Sequence, residues 1–224
     1  MGSKPTARRA LIERFTKETK VQVSLSLDGG PLNFLPDHSE MSSVIPDQQV
    51  QHHASQDSPS QQIWIWTGVG FLDHMLHALA KHAGWSLRVR TSGDLAIDDH
   101  HTVEDTFLGL GGAFSRALGD RKGLRRFGDG HAPLDEALGR AVIDISSRPY
   151  FVGEFGFKDA KIGALTTQMI RKQSSEGREG EHSAKHSARK FALQTRISCA
   201  RLLVLRRVRP DNQHNVSVEL GIRE

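Results

Sequence analysis

Strand and helix patterns alternate twice in the first 120 residues of this 224-residue chain, and the same succession starts again near residue 121. KVQVSLSL at 20–27 alternates apolar and polar positions, as a half-buried strand does, and Asp28-Gly29-Gly30 supplies a turn. IWIW at 63–66 reads as a strand, and the helix after it carries Phe71, Leu72, Met75, Leu76 and Leu79 at helical spacing, with Gly84 as its stop. WSLRVR at 85–90 alternates again. A second helix, from about His101 to Leu118, carries Phe107, Leu108, Leu110, Phe114 and Leu118. Gly109, Gly111 and Gly112 at its centre would weaken it in isolation, which predicts close packing against another backbone.

The second run is shorter. AVIDIS and YFVGEF read as strands, and LTTQMI opens a helix with Thr166 or Thr167 near the cap. From Arg171 to Lys190 only Ala184 and Ala188 are apolar, so no amphipathic face forms. The chain is thus read as a first half-domain over 1–120, the start of a second over 121–170, and a basic tail over 171–224. Within the first, the polar Ser/Gln/His-rich stretch of about 35–62 reads as a surface loop or disordered insertion, and its His52 and His53 as solvated.

Charge follows the same division. Residues 171–224 hold twelve Lys/Arg and six Asp/Glu, a net of +6, while residues 1–170 hold eighteen and twenty, a net of −2. A basic tail is compatible with nucleic acid, but a solvated segment explains the same charge more simply, and no nucleic-acid partner is expected. No run approaches the roughly 18–20 apolar residues of a membrane span. The basic N-terminal residues lack the apolar stretch of a secretory signal. The single cysteine, Cys199, suits a reducing compartment. A cytoplasmic protein with no membrane partner is expected.

The chemistry concentrates in D-D-H-H-T-V-E-D at 98–105. On a helix, His100 and Glu104 are i,i+4 neighbours and His101 and Glu104 are i,i+3 neighbours, while the two rings point about 100° apart. That arrangement offers one imidazole to each of two metal ions with a carboxylate beside them. Imidazole and carboxylate suit borderline divalent ions such as Mn, Fe, Co or Zn. Asp98, Asp99 and Asp105 are candidates to hold the rings from behind; a polar helix start with Asp caps explains the same residues without metal. His74, in G-F-L-D-H-M, sits beside Asp73, which is placed to orient its ring. His77 and His82 share that helix and are read as lining residues without a metal role. For an anion, Arg125-Arg126 and Arg148 in S-S-R-P-Y offer guanidinium groups, the last at a turn stiffened by Pro149.

Together, FTKETKVQVSLSLDGG, TGVGFLDHMLHALAKHAGWSL, GDLAIDDHHTVEDT, ALGDRKGLRRFGDGHAPLDEAL and DISSRPY resemble the imidazoleglycerol-phosphate dehydratases closely, over most of residues 10–170. The combination of GFLDHM, DDHHTVED, RRFG and SRPY is specific to that family. The resemblance implies an α+β fold of two duplicated half-domains, each a four-stranded sheet with helices on one face, a ribosomal protein S5 domain 2-like fold. The second half is incomplete in this chain. It also implies a homo-oligomer, a 24-mer, with di-manganese sites (Mn2+) at subunit interfaces. Position by position, His74, His100, His101 and Glu104 match metal ligands, and Glu18 in T-K-E-T matches an acid that moves a proton, with Glu104 as its companion carboxylate. The stretches His74 to His82 and His100 to Glu104 match substrate-lining residues, and Arg126 and Arg148 match the residues that receive phosphate. The implied reaction removes water from imidazole-glycerol phosphate to give imidazole-acetol phosphate, in histidine biosynthesis. The proton lost sits on carbon that no carbonyl activates, so the imidazole ring must help expel the hydroxyl while a carboxylate performs acid/base work.

After Met169-Ile170 the resemblance departs. Lys172 stands where the family has a metal-binding histidine, and no second His-His-x-x-Glu follows; His182, His186 and His214 are isolated. An altered reading frame or splice junction, a variant isoform and a diverged inactive relative each account for this, and the abrupt change at one dipeptide favours the first. A non-catalytic paralogue acting by interaction and a different dinuclear enzyme, such as a hydrolase, stand as alternative functions.

Overall fold

The computed structural model describes residues 8–42, 45–134, 137–145 and 159–169. The strand YFVGEF, Arg148 and Lys172 lie outside the described residues. So does the tail from 171 onward.

Five strands make the main sheet, in the order β1 (Arg9–Phe15), β2 (Lys20–Ser26), β5 (Ser86–Ser92), β4 (Gln61–Trp66) and β3 (Ser55–Ser58). β1, β2 and β5 run antiparallel in turn, β4 runs parallel to β5, and β3 closes the far edge as a hairpin with β4. β2, β4 and β5 are the strands read from the sequence; β1 and β3, the latter contributed by the polar stretch, bring the sheet to five where the resemblance implies four. Two helices, α2 (Gly70–Ala83) and α3 (His100–Leu118), follow β4 and β5.

Period-2 burial explains the layering. Val21, Val23 and Leu25 of β2, Ile63 and Ile65 of β4, and Leu87 and Val89 of β5 all point to one face and share one core with both helices. The helices answer with Leu72, Leu76 and Ala80 from α2 and Val103, Leu110, Ala113 and Phe114 from α3. Each fully buried leucine contributes roughly 1.5–3 kcal/mol. Gly84 ends α2 in the left-handed region (φ 71°), with its N–H on the Ala80 and Lys81 carbonyls, a conformation glycine adopts without Cβ strain. Gly109 lets α3 sit close on β2: a methyl group there would lie 2.9 Å from Val21 Cγ1. The close approach is to valine side chains rather than to a backbone.

The polar stretch 35–62 is not a plain surface loop, contrary to its composition. It forms the short α1 (Ser39–Ser42) and β3, and it covers the second face of the sheet. Met41, Ile45 and Trp64 make a small core there with Trp66 packed against it. Arg88 lies over the Phe34 ring (4.4 Å) and Arg90 pairs with Asp37 (3.0 Å). Those side chains alternate outward on the same strands whose inward residues face the helices, so a polar sequence with a few well-placed apolar residues suffices to cover them. His52, expected as solvated, packs edge-to-face between Trp64 (5.0 Å) and Trp66 (5.7 Å), and burial pushes its pKa down.

Further along, β6 (Phe127–Leu134) and β7 (Ala137–Asp144) pair as a hairpin, and β8 (Lys161–Ile162) pairs with β9 (Leu165–Thr166). Leu165 is buried in the main core, so residues beyond 159 pack on the first half. The helix predicted at LTTQMI begins only after β9, at Gln168. Among the described residues, no helix is long and apolar enough to cross a membrane.

Candidate active site

Sheet topology brings the candidate residues to one edge. β4 and β5 are parallel, so α2 and α3 both start at the end where those strands finish. The β1–β2 turn lies at that end too, because Lys20 follows the turn and pairs with Ser92, the last residue of β5. Glu18, His74, His100, His101 and Glu104 therefore all lie toward the same end of the sheet, on three segments far apart in sequence.

On α3, His100 Nε2 stands 3.2 Å from Glu104 Oε2, the i,i+4 pair expected from the spacing. His101 turns the other way and its Nδ1 meets Asp94 Oδ2 at 2.8 Å. That hydrogen bond raises the His101 pKa against the opposing effect of burial, with lesser help from the nearby charges of Asp94, Glu18 and Asp98. The same bond holds Asp94 below the usual carboxylate range. With Nδ1 engaged, Nε2 of His101 is the nitrogen that faces outward. Sequence reading missed Asp94, because six residues of loop and helix start separate it from His101.

The acids expected behind the rings do other work. Asp98 accepts the His100 backbone N–H (2.8 Å), and Asp99 accepts the N–H and hydroxyl of Thr166 (2.6 and 2.7 Å). Asp105 pairs with Arg14 Nη2 (2.9 Å) and accepts a hydrogen bond from the Thr19 hydroxyl. None of these three holds an imidazole in the manner expected, whereas Asp94 does.

His74 is exposed on the first turn of α2. Asp73 does not orient it. That carboxylate is buried, accepts both the N–H (2.8 Å) and the hydroxyl (2.5 Å) of Thr67, and faces His53 Nε2 at 3.9 Å. Burial pushes the Asp73 pKa up and outweighs those hydrogen bonds. Burial first, then the charges of Lys81, His74, His53 and His82, drive the His77 pKa down. His82 is exposed at the far end of the helix.

Arg126 is exposed and presents its guanidinium to Asp144, Nε to Oδ1 at 2.8 Å and Nη2 to Oδ2 at 3.1 Å, above the Phe127 ring. A phosphate would meet a fork already paired with a carboxylate. Arg148, its expected companion, lies outside the described residues.

Among the described residues, no three His, Cys, Asp or Glu side chains converge as a metal shell requires. His100 with Glu104, and His101 through Nε2, have the chemistry of part of a shell for a borderline divalent ion. Closing it needs donors from elsewhere.

Residues 67–177 match the sequence model of imidazoleglycerol-phosphate dehydratase. The imidazoleglycerol-phosphate dehydratase of Candida albicans is 57% identical over 167 residues, covering 73% of this chain and 72% of that protein. The chain belongs to the imidazoleglycerol-phosphate dehydratase family. Family members from Saccharomyces cerevisiae (53% identical over 165 residues, 74% of this chain and 72% of that one) and Komagataella pastoris (52% over 180 residues, 80% and 78%) agree. The crystal structure of imidazoleglycerol-phosphate dehydratase from Staphylococcus aureus subsp. aureus N315 has the same fold, with a TM-score of 0.55 at 24% identity over 88% of this chain and 96% of that one. The family is one of hydro-lyases, and its duplicated α+β fold is the one that the resemblance implies.

Proposed function

We propose that this chain carries the first-half active-site set of an imidazoleglycerol-phosphate dehydratase, a cytoplasmic enzyme that removes water from imidazole-glycerol phosphate to give imidazole-acetol phosphate. The observation that supports this reading is that Glu18, His74, His100, His101 and Glu104 lie toward one end of the sheet, with His100 against Glu104, in a chain of this family. Two manganese ions, held in part by His74, His100, His101 and Glu104, would supply Lewis acidity and orient the substrate imidazole. Because only part of a shell is present among the described residues, a symmetric homo-oligomer, a 24-mer, is the assembly that would complete it from neighbouring chains.

The chain's own groups do the rest. Glu18, exposed at the β1–β2 turn, would take the proton from the substrate carbon and pass it on to the departing hydroxyl. Arg126 and Arg148 would hold the phosphate end and thereby fix the distance from phosphate to ring. Residues 171–224 contain no His-x-x-x-Glu pair, and Lys172 would put a positive charge where a neutral imidazole is needed.

The chain as written should therefore support little or no turnover. A histidine-requiring strain carrying this coding sequence should grow far more slowly than one carrying the same sequence re-read after codon 170 to restore His-His-x-x-Glu. Equal growth of the two strains would refute the proposed insufficiency of the tail.

A further inference from the structure

We propose that Asp105 is a positioning residue whose buried carboxylate clamps the β1–β2 turn to α3 and so sets where Glu18 stands relative to His101. The proposal rests on the reading above that Glu18 moves a proton at this edge.

Asp105 follows Glu104 on α3 but turns inward, where it is buried. One oxygen pairs with Arg14 Nη2 at 2.9 Å and the other accepts a hydrogen bond from the Thr19 hydroxyl. Arg14 sits near the end of β1 and Thr19 immediately before β2, so one carboxylate grips both legs of the hairpin whose tip carries Glu18. The Nε of Arg14 is also buried, with no acceptor among the described residues, which makes the Asp105 charge its compensation there.

The tip itself is stiff. Thr16 N donates to the Thr19 carbonyl (2.8 Å), Thr19 N donates to Thr16 Oγ1 (2.9 Å), and Lys20 Nζ donates to the Thr16 carbonyl (2.8 Å). A rigid tip gripped at both legs moves only as a body, so the grip decides where Glu18 stands. Gly93 supports the same contact from the other side. A side chain there would collide with Thr102 of α3 and press on Thr19 Cγ2 at 3.3 Å. Turn, loop and helix are thus packed against one another at the point where Asp105 joins them. The carboxylate touches no reacting atom; its effect passes through Thr19 to Glu18.

A double-substitution cycle on the full chain, in chelator, separates positioning from mere stability. The His101 ring resonance, assigned by its loss in H101A, is recorded for the parent, E18Q, D105N and the double variant at one pH. E18Q should displace the resonance in the parent chain, because the Glu18 charge sits beside the ring. In the D105N background the same displacement should shrink roughly threefold or more. Equal displacement in both backgrounds overturns the positioning role and leaves the Glu18 reading standing. No displacement in the parent overturns the placement of Glu18 and the proposal with it. If D105N does not fold, T19V replaces it: this variant keeps the Arg14–Asp105 pair and removes only the grip on the turn. It should show the same shrinkage, and an unchanged displacement overturns the proposal.

Discussion

One hydrogen bond sets both the tautomer and the pH response of His101. Asp94 accepts from Nδ1, which fixes the ring and leaves Nε2 outward. The His101 pKa is raised above its ordinary 6.5, so its contribution to stability is whole below that value and is lost as pH rises through the folded pKa. The Asp94 pKa is lowered below its ordinary 3.8, so its contribution is present above 3.8 and is lost as pH falls through the folded pKa. The pair therefore contributes most between those two ordinary values. Half of the His101 side chain is exposed, so solvent screens the pair and its worth is small. D94A should return the His101 midpoint toward its ordinary value in an NMR titration; a midpoint that stays raised would show that other charges cause the shift. Sequence alone pointed to three different aspartates, because adjacency in the chain is a poor guide to which carboxylate a folded loop delivers to a ring.

At the scale of elements, two glycines of α3 make opposite predictions. A methyl at Gly109 would meet Val21 Cγ1 at 2.9 Å, and a β-branched side chain on a central strand has little room to yield. G109A should cost about 1–3 kcal/mol in urea unfolding, overpacking outweighing the gain in helix propensity. At Gly112 the nearest atom is Ile12 Cδ1 at 3.7 Å, ordinary contact, so G112A should stabilise by up to about 1 kcal/mol. If both substitutions moved stability the same way, the closeness of α3 to β2 would be misjudged. The glycine-rich centre of this helix was legible in the sequence as a packing signal, but which glycine carries it was not. Beside β3 and the short β8–β9 pair, β1 and β6 escaped the sequence reading, for related reasons. β1 has apolar residues on both faces, with Ala10 and Ile12 toward the helices and Leu11 and Phe15 exposed, and so shows no alternation. β6 (FGDGHAPL) is poor in strand-forming residues and owes its conformation to pairing with β7.

Across the whole molecule, residues beyond 159 are tied to the first half at its functional edge. Asp99, just before α3, accepts two hydrogen bonds from Thr166, while Leu165 beside it enters the main core. D99A would leave the Thr166 N–H without its acceptor and should cost about 1–3 kcal/mol in urea unfolding. A change within 0.5 kcal/mol, roughly the scatter of neutral surface substitutions, would mean that this tie contributes nothing.

By itself the sequence determined the strands β2, β4, β5 and β7, the limits of α2 and α3 to within a residue or two, and the pairing of His100 with Glu104. These depend on period and local spacing, which a chain carries along its length. Only the tertiary structure decided that the polar stretch 35–62 covers the second sheet face, that His52 lies between two tryptophans, and that Asp94 rather than its neighbours holds His101. Those outcomes depend on which residues the sheet brings together from distant positions. Parallel pairing of β4 with β5 puts both helix starts and the β1–β2 turn at one edge, and no local pattern in the chain encodes that meeting.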